Sequence, residues 1–515
     1  MDRRRRRVLA AAITATLAVL VLPASATTPI VQPQLPPQPT LCLGTIVLPG
    51  DSIQTAVDGQ SEGTTFCLLP GIYRLRFPVF PKNGQTFVGQ PGAIVMGSET
   101  VTFEQDGNTW VSSGNAQEPT PAVTKCARRA RKVCNMPFRL FRDDARMRPV
   151  ASAERLGPGK FFFDLAQDTV RISEDPAGHV FELGAAPLAF TGTRVDASAN
   201  DVTIRGLEFQ YFANQRIGVI STFTGRGWLI EDNIVHHSHG CGIYGGTQSV
   251  VRGNFVHHMG QLGLCGQGED ILVEDNEIAN NNLDGFDPRW EAGGAKWVNT
   301  TRLTVRNNLS HDNKGPGLWT DGNNIDTVYE GNTVENNTEE GIFHEISYDA
   351  IIRNNTVRNN GHELGAWGSG IQVSSSRNVE IFGNTVDGPW NGISLLQERR
   401  GKGTHGAFRL TNASVHDNNV TMRVGTTGAH RPPAPTVALP LNAITFRGNN
   451  YTLGPGKHFA WGGKTLSFKR WRALGMDVSG KASRSSGGRE ASPAPAAAGT
   501  WCSPGCTGAT TASVP

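Results

Sequence analysis

Asp321 and Glu345 hold the same place in two successive copies of one phrase, Gly317-Leu318-Trp319-Thr320-Asp321 and Gly341-Ile342-Phe343-His344-Glu345. Side chains alternate along an extended strand, so each acid shares a face with the aromatic residue two places before it. If the two copies are stacked coils, their strands lie about 4.8 Å apart. That is close to the roughly 5–5.5 Å at which paired carboxyl groups perform a double displacement at a glycosidic carbon, one attacking and the other moving the proton. Two acids so close also repel, which pushes one toward its protonated form and leaves the other ionised. The competing reading makes Asp321 the start of an Asp-Gly turn and Glu345 a solvated surface acid. The matched register and the aromatic neighbours weigh against it.

The elements that would carry the pair are a repeat. From about Val202 a phrase recurs: apolar or β-branched residues, a short polar step, Asn, any residue, then Val or Ile. It reads Ile-Glu-Asp-Asn-Ile-Val at 230–235 and Val-Arg-Gly-Asn-Phe-Val at 251–256, and continues through Ile-Phe-Gly-Asn-Thr-Val at 381–386 to a degenerate copy near Asn418. Successive Asn residues are 21, 22, 32, 24, 23 and 29 positions apart, the mark of uniform coils with insertions at a corner. Each period holds short β-rich runs, too brief for helices, between Asn, Gly and Asp turns. Strand triplets wound in parallel pair their backbone groups between coils and bury an apolar column. The recurrent Asn is then a ladder, each side chain bonding to its neighbours above and below.

Aligning the Gly-apolar starts gives columns on one sheet. Ile243, Leu264, Phe286, Leu318, Ile342, Ile371 and Ile393 point inward. The first outward column contains Tyr244, Asp287, Trp319, Phe343 and Gln372, and the second Arg289, Asp321, Glu345 and Ser374. Carboxylates beside exposed rings suit a carbohydrate, whose apolar faces stack while its hydroxyls hydrogen-bond. Arg289, one coil below Asp321, favours Asp321 as the ionised member, and Glu345 beside Phe343 becomes the general acid/base. His344 falls in an inward column and reads as a satisfied core histidine. Lys296 and Glu291 lie on the Gly-rich 290–300 insertion and rim the cleft, while Trp367 and Trp390 extend it from later corners.

These motifs resemble the right-handed parallel β-helix proteins of the pectate-lyase-like (pectin lyase-like) superfamily over roughly residues 200–425. Trp319-Thr320-Asp321 with Glu345 one coil later is similar to the signature of the β-helical β-xylosidase family of glycoside hydrolases. That resemblance implies Asp321 as nucleophile and Glu345 as acid/base, without a cofactor. A second resemblance, of Gly285-Phe286-Asp287-Pro288 to the site of alginate C5-epimerases and related lyases, stops at Arg289-Trp290, where those proteins have His-Asp. A lyase would instead use Arg289 or Lys296 as base, with acids holding Ca²⁺.

The ends bound the rest. Residues 1–26, with Arg3 to Arg7, an apolar run to Leu22 and Ala24-Ser25-Ala26, read as a signal peptide for either the general or the twin-arginine route. Residues 27–102 form a cap and first coils, 103–190 an inserted β-subdomain and 191–425 the solenoid. Residues 426–477 close it, and 478–515 are a Ser, Gly, Ala and Pro-rich disordered tail. The net charge of +3 falls to −1 without the first 26 residues, which argues against a nucleic-acid partner. No later stretch has the roughly 20 apolar residues of a membrane helix. Eight Cys in an exported chain predict disulfides. Proximity pairs Cys42 with Cys67, Cys126 with Cys134, Cys241 with Cys265 and Cys502 with Cys506. The expectation is an all-β, secreted, monomeric protein acting on a polysaccharide or oligosaccharide: a retaining glycosidase first, a lyase or uronate epimerase second, a non-catalytic glycan-binding surface protein third.

Overall fold

The computed structural model describes residues 42–114, 124–130, 133–194, 197–215, 217–361, 367–388, 390–431 and 438–485. The signal segment, Cys502 and Cys506 lie outside these residues. The chain winds as a right-handed parallel β-helix with three long sheets of 13, 13 and 12 strands. One coil shows the plan. Thr304–Arg306 lies in the first sheet, Leu309–His311 in the second and Leu318–Asp321 in the third, and each pairs in parallel with the next coil.

From Asn233 onward the first turn of each coil is held by a side-chain ladder. Asn233, Asn254, Asn276, Asn308, Asn332, Asn355, Asn384, Asn418 and Asn449 each donate from Nδ2 to the next Oδ1 at 2.8–3.1 Å, and the last rung is Asp477. Asp477 also receives Tyr451 Oη–H and Trp471 Nε1–H, so the ladder ends on a satisfied carboxylate. A second ladder, Asn281, Asn313, Asn337 and Asn360, holds the turn into the third sheet. Inside, Ile243, Leu264, Ala295, Leu318, Ile342, Ile371 and Ile393 stack as one buried column.

Both ends are covered, as an open coil would expose apolar core and unpaired strand. The helix Ile53–Asp58, capped by Ser52, buries Ile53 and Val57 at the start. The helix Phe468–Ala473 buries Trp471 at the other end. Strand Lys481–Arg484 pairs with Asn450–Leu453, so order persists beyond Val478, where the composition shift placed the tail. The backbone pairing on offer at the edge outweighs the local composition.

Between Ser98 and Gly184 two small, mainly antiparallel sheets leave the solenoid and build their own core around Phe138, Leu140, Phe161 and Phe163. This insertion is fastened by a buried cluster in which Asp284 accepts from Arg139 Nε and also pairs with Arg146 and His239. Disulfides join Cys42–Cys67, Cys126–Cys134 and Cys241–Cys265. Among the described residues, no helix is long and apolar enough to cross a membrane.

Candidate active site

The third sheet brings Asp321 and Glu345 into direct register as Cα partners on adjacent coils, with Trp319 over Phe343 and Thr320 over His344. Trp319 and Phe343 stack at 5.5 Å with 12° between planes. They are only 2% and 4% exposed, so they wall the acid pair and do not offer the open sugar platform expected of exposed rings. Lys296 lies over the Trp319 ring, and Trp367 packs edge-on against Phe343.

The cation beside Asp321 is Lys296, not Arg289. Lys296 Nζ lies 2.7 Å from Asp321 Oδ2 and 3.8 Å above the Trp319 ring, and donates to Trp290 O. The strand of that coil is Gly293–Thr301, which puts Lys296 opposite Trp319 and Ala295 in the inward column. The columns read from sequence had placed Phe286, Asp287 and Arg289 there. Gly285-Phe286 follows Asn281 at the spacing by which Gly317 follows Asn313, so the long coil was read with its extra residues after the strand. In fact they precede it. Asp287 caps the short helix Pro288–Glu291, accepting from Arg289 N, and Arg289 points outward, 82% exposed, 3.3 Å from Asp287. Phe286 packs instead on the Cys126–Cys134 loop.

Glu345 is nearly buried. Its carboxyl is pushed up to about 8 by burial first and by Asp321 second, against the pull of Arg400 and Lys296. Arg400, which the sequence reading missed, reaches Glu345 and also Glu398, the latter at 2.8 Å. An ion pair ordinarily holds a carboxyl ionised, but here the loss of water and the neighbouring acid outweigh it. Ile346, directly after Glu345, has φ +37°, a backbone conformation that costs a β-branched residue of order 1–3 kcal/mol. The preceding coil uses Gly322 at this corner. The strain is stored beside the acid pair.

His344 is the satisfied core histidine expected. Its Nδ1 accepts from Thr320 Oγ1–H at 2.8 Å and its Nε2–H donates to Tyr348 O at 2.7 Å. Burial lowers its pKa to about 4. Gln372 is fully buried one coil above Phe343 and donates Nε2–H to Glu340 Oε1 at 3.1 Å. Its Oε1, Trp319 Nε1 and Ser374 Oγ are buried without a partner, three orphan polar atoms around one acid pair. Tyr244 lies four coils below Phe343, half-buried against Phe223 and the Cys241–Cys265 disulfide. Trp290, 44% exposed, carries the Lys125 ammonium 3.6 Å over its ring. Among the described residues no group of three or more His, Cys, Asp or Glu converges to hold a metal ion.

A family model described as "Right handed beta helix region" matches residues 217–386 and 330–420. No curated protein matches the sequence. Among solved structures, XylC in complex with xylose is similar over 79% of this chain and 82% of that one, at 15% identity and a TM-score of 0.60. The A-module of the Azotobacter vinelandii mannuronan C-5 epimerase AlgE4 is similar over 81% and 94%, at 14% identity and a TM-score of 0.48. A GH87 α-1,3-glucanase catalytic domain in complex with tetrasaccharides aligns over 83% and 67%, at 10% identity and a TM-score of 0.43. At these identities the likeness is one of fold.

Proposed function

We propose that this β-helix protein is a secreted, carbohydrate-active enzyme, a retaining glycoside hydrolase acting on a polysaccharide or oligosaccharide. The observation that carries the reading is the in-register pair Asp321–Glu345, with Lys296 on one acid and burial raising the other. Asp321, ion-paired with Lys296, attacks the anomeric carbon while Glu345 gives its proton to the departing glycosidic oxygen. The C–O bond breaks and an ester to Asp321 forms. Glu345, now ionised, takes a proton from water, which attacks the same carbon and releases Asp321. Trp319 Nε1, Gln372 Oε1 and Ser374 Oγ, buried without partners beside the pair, are the groups this reading assigns to sugar hydroxyls once substrate opens the wall over them. The fold likeness to XylC, whose structure holds xylose, is in keeping with this reading.

The lyase and epimerase reading needs Asp287, Arg289 and Lys296 to act together. Asp287 is engaged as a helix cap, Arg289 is turned to solvent, and Lys296 is paired with Asp321. The hydrolase reading is therefore preferred.

The test is to incubate the mature protein with a panel of polysaccharides and aryl glycosides beside Asp321→Ala and Glu345→Gln, with products weighed by mass spectrometry. Products heavier by one water per cleavage, lost in both variants, are expected. Products formed without added water would transfer the assignment to a lyase, and intact glycans that are nonetheless bound would make it a binding protein.

A further inference from the structure

The segment after strand Asn391–Leu396 is longer than any ordinary corner of the solenoid, and it runs back along the coils. Glu398 N donates to Ser375 Oγ at 3.0 Å as the segment leaves the sheet. It then forms a hairpin of Lys402–Gly403 with Gly406–Ala407. Thr404 N donates to Asn323 Oδ1 at 2.9 Å, and Tyr348 Oη–H donates to Gly406 O at 2.9 Å. Arg377 fastens the tip, donating to His405 O at 2.7 Å and lying 4.7 Å over the Tyr348 ring. Asn323 follows Asp321 in its own coil, so the hairpin springs from one coil and is pinned three coils back. Gly403 permits the close approach, as a Cβ there would run into Asn323 Oδ1 and the Phe408 ring. The strap thus delivers Arg400 from the far coil onto Glu345.

An arginine on a general acid looks counterproductive, since it favours the charged form. It makes sense over a two-step reaction. In the first step Asp321 is an anion and repels charge from Glu345. Once Asp321 has become a neutral ester, that repulsion is gone, and the cation beside Glu345 favours the carboxylate required to activate water. We propose that Arg400, held over the acid pair by the 397–408 strap, is the positioning residue that holds Glu345 as a carboxylate once Asp321 is esterified, so that Glu345 acts as base in the second step. The inference rests on the hydrolase reading above. The charged groups facing Glu345 are Asp321, Arg400, Lys296 and Glu398; the strap brings in both Glu398 and Arg400, which pair with each other at 2.8 Å, and it is Arg400 that touches Glu345.

The experiment pairs kinetics with titration in wild type, Arg400→Ala and Arg400→Lys. Dinitrophenyl glycosides need little help from an acid to depart, so their turnover isolates the second step. Arg400→Ala is expected to slow it about tenfold or more, to accumulate a covalent glycosyl adduct visible by mass spectrometry, and to be rescued by azide, which needs no base. Arg400→Lys should recover most of the rate. In protein labelled with carboxyl-¹³C glutamate, the resonance missing from Glu345→Gln identifies Glu345. Its midpoint should rise by at least about one pH unit in Arg400→Ala. An active wild type whose Glu345 midpoint is the same in Arg400→Ala, or a rate loss that azide does not rescue, overturns the role of Arg400 alone. A wild type that turns over no glycoside and forms no adduct sinks the hydrolase reading and this inference with it.

Discussion

Lys296 Nζ and Asp321 Oδ2 are 2.7 Å apart, on neighbouring coils of the third sheet, with the lysine almost wholly buried between Trp319 and the backbone of Trp290. Neither charge is well hydrated, so each is tolerable mainly because of the other. Lys296 pairs with Asp321 and Arg400 with Glu345, so each acid has its own cation, and it is burial and the neighbouring Asp321 that raise Glu345 against that pull.

Asp321→Asn should abolish turnover and also destabilise the fold, because it strands a buried ammonium. A loss of about 1–3 kcal/mol is expected after allowing for the partial exposure of Asp321. The double variant Lys296→Met with Asp321→Asn should regain most of that stability in urea unfolding and none of the activity. A double variant no more stable than Asp321→Asn would refute the pairing.

Glu345 gives a pH signature. Its carboxyl is raised from an ordinary 4.5 to about 8 in the folded protein. The folded state therefore favours the protonated acid, and this contribution is fully present below about 4.5 and lost as pH rises through about 8. Glu345→Gln, which cannot ionise, should gain on wild type as pH climbs from 5 to 8, by several °C in Tm or on the order of 1–3 kcal/mol. The wild-type kcat/KM should fall above about pH 8, as the acid form of Glu345 disappears. A flat Tm difference across that range would contradict the raised carboxyl.

Gln372 is fixed by its bond to Glu340, and its Oε1 is buried with no hydrogen-bond partner. Gln372→Met keeps the volume and removes that acceptor. Loss of one hydrogen bond to substrate predicts about a tenfold fall in kcat/KM with little change in Tm. A large Tm loss with unchanged kcat/KM would reassign Gln372 to packing.

Asn449 and Asn450 are adjacent in sequence and differ in duty. Asn449 Nδ2 donates to Val415 O and Asp477 Oδ1, and its Oδ1 accepts from Asn418. Asn450 makes one exposed bond to Asn419. Asn449→Ala should cost about 2–4 kcal/mol in denaturant unfolding, since it orphans several buried groups, and Asn450→Ala about 0.5 kcal/mol or less. Equal costs would count against the ladder as the main lock of this turn.

Much of the solenoid was legible because it repeats. One phrase recurring at steps in the low twenties reports the coil, the inward column and the Asn ladder together, and three of the four expected disulfides fall within the described residues and form. The register of Asp321 on Glu345 was equally readable, since both coils carry the same five-residue phrase. The 32-residue step was not. Its surplus can be placed before or after the strand, and only the pairing of Lys296 with Trp319 shows that it comes before, which moves Arg289 out of the site and Lys296 into it. Arg400 could not be found from local pattern, because it lies 55 residues from Glu345.

The amino-acid order by itself determined the winding, because a short period repeats its hydrophobic and Asn positions often enough to specify one way of stacking. Tertiary structure alone decided which charges meet the acid pair. Insertions carry no period, and their paths are set by where a few distant contacts, such as Thr404 on Asn323 and Gly406 on Tyr348, fasten them.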